Sequence, residues 1–152
     1  MLVKEILRIK GNTLYTVTPA TTLSDAVVTL AEHDIGSVLV MEGGKLAGML
    51  TFREVINVLA KRQQEQRIGP TPTMSEIKVG DVMDAEPALA NPEMEVDELR
   101  GLMLARHQRY VPVMEADTLL GVISFHDVAK AVLEEQAFEN RMLKGYIKNW
   151  PA

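Results

Sequence analysis

The 152-residue chain contains no cysteine, so disulfides, thiolate metal sites and cysteine nucleophiles are excluded and a reducing compartment is allowed. Its three histidines, His33, His107 and His126, are dispersed, without a second histidine or a carboxylate at ligand spacing, and no metal site is expected. No Gly-x-x-x-x-Gly-Lys phosphate loop is present, and neither Ser24-Asp25 nor Ser124 has a recognisable base partner, so nothing supports bond-breaking chemistry and the chain does not read as an enzyme. A basic stripe is also missing. The 16 Lys and Arg are scattered among 21 Asp and Glu, giving a net charge of −5 and a pI near 5.2, which argues against a nucleic-acid partner. No apolar run approaches the ~20 residues that cross a bilayer, and the N-terminal Met1 to Arg8 carries charges that a signal peptide core would not tolerate. The expectation is a soluble, cytoplasmic protein with no membrane partner.

What the sequence does contain is ordinary globular material, 47 % hydrophobic, enough for one domain or two small halves sharing a core. Leu2, Val3, Ile6 and Leu7 share a helical face that closes at Gly11-Asn12. Tyr15 to Thr18 reads as a strand ended by Pro19, followed by a helix capped at Thr22 or Ser24 that turns Leu23, Ala26, Val27 and Leu30 inward. Ser37 to Met41 and Leu46 to Leu50 form a hairpin across Glu42-Gly-Gly-Lys45, and Val55, Ile56 and Leu59 mark the next helix. Between Lys61 and Ser75 the composition turns polar and then rich in Gly and Pro, as a linker would. Ile77 to Met83 reads as a return segment. A helix with Val96, Leu99, Leu102 and Met103 follows, then a hairpin of Tyr110 to Met114 with Leu119 to Ile123, and a helix from Phe125. At the end, Phe138, Met142, Leu143, Tyr146, Ile147 and Trp150 form an apolar stripe that stops at Pro151. That stripe packs on its own domain, on a second copy, or on a different protein.

The order of elements repeats. Thr16 to Ala60 aligns without a gap to Leu89 to Leu133 with nine identities, where ordinary usage gives roughly three, so the repeat is real. Six of the nine are apolar core types. The pairs Gly48/Gly121, Thr51/Ser124 and Glu54/Asp127 are not explained by apolar patterning. Each copy runs a strand into a helix, and a hydroxyl followed three residues later by a carboxylate makes a capping box. The same groups, with the free amides of the first turn, could equally hold a phosphate and a ribose. One β-α-β-β-α unit is too small to bury a core alone, so the two should pack about a pseudo-two-fold axis, leaving two related clefts.

These residues resemble a tandem pair of cystathionine-β-synthase (CBS) domains, the Bateman module, from about Val3 through Tyr146. The marks are Val17-Thr-Pro19 and Ala90-Asn-Pro92, Ile35 to Val40 and Arg109 to Val113, and above all Gly48-Met-Leu-Thr-Phe-Arg-Glu54 and Gly121-Val-Ile-Ser-Phe-His-Asp127. The ends are similar to small bacterial stand-alone CBS-pair proteins. The resemblance implies an α+β fold of two β-α-β-β-α CBS repeats packed about a pseudo-two-fold axis with N-terminal and C-terminal helices. The expected divisions are a docking helix at 1–14, repeat 1 at 15–66, a linker at 67–78, repeat 2 at 79–136 and an amphipathic helix at 137–152.

The function implied is a non-catalytic regulatory module that binds AMP, ADP, ATP, NAD or S-adenosylmethionine between the repeats and reports occupancy to a regulated protein not identified by the sequence. Carried over, Asp127 would accept from the ribose hydroxyls, Ser124 and Arg109 would reach phosphate, and Leu89, Ala90, Tyr110 and Pro112 would line the adenine pocket. His126 would touch phosphate when protonated or stand in solvent. In the first repeat Val17, Ser37, Thr51, Arg53 and Glu54 take the matching places. Glu54 stands where the family prefers Asp, and Gly36-Ser37 stand where repeat 2 has Arg109-Tyr110, so the Asp127 site is expected to bind more tightly, with Arg53 as a possible substitute cation in the other. A homodimer through the helices carrying Val55, Ile56, Leu59, Val128 and Val132 is implied. The competing reading is a nucleotide-independent interaction or assembly protein whose signatures are capping boxes only.

Overall fold

A computed structural model describes residues 1–11, 13–65 and 73–148; most of the linker, together with Trp150 and Pro151, lies outside the described residues, as does the Ile147 side chain. In chain order the elements are α1 (Val3–Lys10), β1 (Thr16–Val17), α2 (Leu23–Glu32), β2 (Ser37–Glu42), β3 (Lys45–Thr51), α3 (Phe52–Glu65), α4 (Val79–Val82), α5 (Val96–Arg106), β4 (Tyr110–Glu115), β5 (Thr118–Ser124) and α6 (Phe125–Lys148). Thr22 caps α2 by accepting from the Asp25 amide at 3.2 Å. Gly43 and Gly44, both at positive φ, make the tight turn between β2 and β3, a conformation that glycine adopts without steric cost.

The duplication is visible in the ladders. β2 pairs antiparallel with β3 and β4 with β5, and each hairpin has a register shift at the same place, Val40/Met41 and Val113/Met114. The extra residues are Ala47 and Leu120, immediately before Gly48 and Gly121. The parallel partner of β2, β1, has shrunk in the second repeat to one bridge, Ala90 to Val113, so the expected β-α-β-β-α order holds in both halves with a shorter first strand in one.

Each repeat completes its core with the segment that precedes the other. Val3 and Ile6 of α1 are buried with Val96, Leu99, Val111 and Ile123 of repeat 2. Val79 of α4 is buried with Leu23, Leu30, Val38 and Leu50 of repeat 1. The backbone confirms the exchange: the Val3 amide donates to the Met94 carbonyl at 2.8 Å and the Val96 amide to the Met1 carbonyl at 2.9 Å, while the Val79 amide donates to Thr21 and the Leu23 amide to Ile77, both at 2.8 Å. Thus α1 and α4 are equivalent elements, each docked on the other's repeat. Gly121 and Gly48 make room for them. A Cβ on Gly121 would lie 2.9 Å from Leu7 Cδ2, and one on Gly48 would lie 2.6 Å from the Asp84 carbonyl oxygen and 2.8 Å from Met83 Sδ.

The C-terminal stripe differs from the expected division in one respect. Residues 137–148 continue α6 without a break rather than forming a separate helix. Of the stripe's described side chains Phe138, Met142, Leu143 and Tyr146 are more than half exposed, which leaves a second copy or a different protein among the alternatives for this part of it. Among the described residues no helix is long and apolar enough to cross a membrane.

Candidate ligand clefts between the repeats

The two signature strands end side by side, and each feeds a helix whose first turn faces the opposite repeat. At the start of α6 the Ser124 amide donates to Asp127 Oδ2 at 2.9 Å and the Asp127 amide donates to Ser124 Oγ at 3.1 Å, a reciprocal capping box. At the start of α3 the Thr51 amide and hydroxyl both donate to Glu54 Oε1, at 2.7 and 2.8 Å, and the Arg53 amide donates to Thr51 Oγ1 at 3.2 Å. The longer glutamate reaches its own cap and folds back on it.

Asp127 has a further partner. Lys10, the last residue of α1, donates to Asp127 Oδ2 at 2.6 Å and to the Val122 carbonyl at 2.8 Å. Burial alone would raise the Asp127 carboxyl; the Lys10 hydrogen bond and charge, with the Ser124 amide and hydroxyl, outweigh it and hold the group below its ordinary value. The Lys10 ammonium and the Ser124 amide both donate to Oδ2.

Two cavities flank these helix starts. One, of about 320 Å³, is bounded by Thr51, Arg53 and Glu54 on one side and by Asp84 and His107 to Tyr110 on the other. The second, of about 850 Å³, is bounded by Lys10, Ser124 and His126 and by Tyr15 and Asp34 to Ser37. Both fall within the ~300–1,000 Å³ usual for small-molecule sites. They are the same place twice: Thr51, Arg53 and Ile56 of the first have their 73-residue counterparts Ser124, His126 and Ala129 in the second, and His107 to Tyr110 correspond to Asp34 to Ser37. Each cleft therefore joins the signature of one repeat to the strand entrance of the other.

That construction corrects the sequence reading of the site. Arg109 and Tyr110 do not belong to the Asp127 cleft alone but border both, so the Glu54 cleft does not lack a basic group; it has Arg53 and Arg109. Ser124, His126 and Ser37 come together in the larger cleft, and Thr51, Arg53 and Glu54 in the smaller. Val17, Leu89, Ala90 and Pro112 line neither cavity. Ala90 and Pro112 are buried and bonded to each other, amide to carbonyl at 2.9 Å, and Leu89 points to solvent. Asp127 also lines neither cavity; it is tied to the larger cleft through its hydrogen-bond partners Ser124 and Lys10, which do line it.

Three contributors were not legible as site residues. Lys10 lies 117 positions from Asp127; its signal was one of two cations, with Arg8, in the last turn of a helix that the apolar pattern marked only as docking. Gln108 is buried, with its side-chain amide donating to the carbonyls of Ala88 and Tyr110 and its oxygen accepting from the Ala88 amide, all at 2.9 Å; it fixes the wall of the smaller cleft. Tyr15 lines the larger cleft and stacks on His33, with ring centroids 4.0 Å apart. Among the described residues no group of His, Cys, Asp and Glu is placed to hold a metal.

The duplicated fold with paired interfacial clefts defines a class, and comparison with known proteins gives its name. The CBS domain family matches residues 3–61 and 79–134; the chain belongs to that family and carries the domain in tandem. It is 31 % identical over 114 residues to the CBS domain-containing protein YhcV of Bacillus subtilis, covering 75 % of each chain. A crystal structure of a CBS-domain containing protein from Agrobacterium tumefaciens is similar at 30 % identity and a TM-score of 0.76, covering 86 % of this chain and 98 % of that one. CBSX2, solved in complex with AMP, shares the fold at 22 % identity and a TM-score of 0.66, over 81 % of this chain and 90 % of that one.

Proposed function

We propose that the protein is a regulatory module that binds an adenosine-containing ligand, AMP, ADP, ATP or NAD(H), in its inter-repeat clefts and transmits occupancy to a partner protein. The observation that carries this reading is the doubled cleft, in which a helix N-terminus with its hydroxyl, Thr51 or Ser124, on one repeat faces the strand entrance of the other, with Arg109 bordering both clefts. The helix amides and Arg109 suit a phosphate. A carboxylate such as that of Glu54 or Asp127 suits a ribose hydroxyl, and the AMP bound by CBSX2 supports a ligand of this class. Binding between two half-domains favours one relative packing over another by the ligand's difference in affinity for the two, and that difference is what a partner would read.

The test is thermal unfolding in the presence of AMP, ADP, ATP, NAD, NADH and S-adenosylmethionine. A ligand at 100 times its dissociation constant should add about 2.7 kcal/mol. No shift with any of the six would favour the second reading, a nucleotide-independent assembly protein, for which the argument is that Glu54 and Asp127 already have partners and that the α6 stripe is exposed.

A further inference from the structure

The segment His107 to Tyr110 belongs to repeat 2, yet both signature helices are bonded to it. The Arg109 carbonyl accepts from the amide of Phe125, the first residue of α6, at 2.7 Å. The His107 carbonyl accepts from the guanidinium of Arg53 on α3. Three Lys or Arg side chains line the two cavities. Lys10 is committed to Asp127 and Val122, and Arg53 to His107; Arg109, which borders both cavities, makes no side-chain hydrogen bond or ion pair among the described residues.

The duplication would supply a second such cation at Gly36, but the Tyr110 ring occupies that space. A Cβ on Gly36 would stand 1.8 Å from the Tyr110 hydroxyl oxygen and 2.4 Å from its Cζ. The ring that follows Arg109 thus fills the space its symmetry mate would need, and two crevices are left with one uncommitted guanidinium.

We infer that the two clefts compete for Arg109, so that ligands bearing phosphate bind to them with negative coupling. A guanidinium presents its fork of N–H donors in one plane and can give that fork to one phosphate at a time. The cleft that captures it withdraws counter-charge from the other, and the penalty is mutual because coupling between sites is reciprocal. A nucleoside without phosphate does not call on Arg109 and binds each cleft independently. This rests on the nucleotide reading above and adds how the two sites act on each other.

The experiment follows AMP binding to the full chain by amide NMR signals of Thr51 and Ser124, one reporter per cleft, with either cleft plugged: Ile56→Trp fills the smaller and Ala129→Trp the larger. Plugging the cleft that fills first should tighten AMP at the other by about 5-fold or more relative to its affinity when both are open, and the gain should vanish in an Arg109→Gln background and with adenosine. A second arm needs no plug: Arg109→Gln alone should narrow the ratio of the two AMP dissociation constants by a similar factor and leave the adenosine ratio unaltered. AMP binding to both clefts with affinities that neither a plug nor Arg109→Gln brings closer overturns the coupling while leaving nucleotide binding intact. Absence of AMP and adenosine binding at both reporters overturns the nucleotide reading with it.

Discussion

Lys10 supplies a contact that neither signature contains. Its ammonium sits at the C-terminal end of α1, where the helix dipole favours a cation, and bridges Asp127 to the Val122 carbonyl. The contact ties the entry helix to the carboxylate proposed to receive ribose. Because the Asp127 carboxyl is held below its ordinary value in the folded chain, the stability it contributes is present above the unfolded carboxyl value of about 3.9 and is lost as pH falls through the lower, folded value. Urea denaturation of wild type and Asp127→Asn between pH 2 and pH 7 should show wild type more stable at neutral pH, with the gap closing below about pH 4. A gap that persists or grows in acid would show that the charged pair contributes nothing.

At the scale of elements, the exchange of α1 and α4 explains the glycine pair Gly48/Gly121 of the repeat. They clear a path for the entering segment of the other repeat, not for a ligand. The contacts are not equal, which sets an order of effects. In Gly121→Ala the new methyl meets the flexible tip of Leu7, whereas in Gly48→Ala it meets the backbone of Asp84 as well as Met83, and backbone yields less than a side-chain end. Gly48→Ala should cost about 1–3 kcal/mol, as overpacking does, and Gly121→Ala less, with Leu7→Ala restoring most of it. Chemical denaturation of the three variants checks this, and equal losses at the two glycines would contradict it.

Much of this level was legible in advance. The hairpins, the helices and the signature capping boxes follow from local patterning, so the nine identities located them correctly. What was not legible is which half each piece packs against, since apolar periodicity marks a buried face without naming its partner. The equivalence of α1 and α4 was nonetheless written in the chain as Val3/Val79, Glu5/Asp81, Ile6/Val82 and Leu7/Met83, at a spacing of 76 that a search tuned to the 73-residue period passes over. For the same reason Arg109 was assigned to the cleft of its own repeat, although the fold sets it between the two.

For the whole molecule, α3 and α6 both carry exposed apolar residues. Ile56 and Leu59 on α3, and Leu133, Phe138, Met142 and Leu143 on α6, are each at least half exposed, an arrangement that marks an interaction face. Val128, one of the residues expected to meet a partner, is instead fully buried in the core of repeat 2; the helix presents Leu133 outward in its place. We propose that a second copy covers this face. Sedimentation equilibrium should give a dimer for wild type and a monomer for Leu59→Glu combined with Leu133→Glu, and a wild-type monomer at tens of micromolar would refute it.

A nucleotide is expected between the repeats, its ribose at the Ser124–Asp127 turn and its phosphate towards Arg109. A crystal structure of the protein grown with AMP measures this directly. The expected result is ligand density in one or both clefts, with a ribose hydroxyl within hydrogen-bond distance of the Asp127 or Glu54 carboxylate. Well-ordered crystals at saturating AMP with both clefts filled by water alone, or with AMP bound away from the two helix starts, would contradict it.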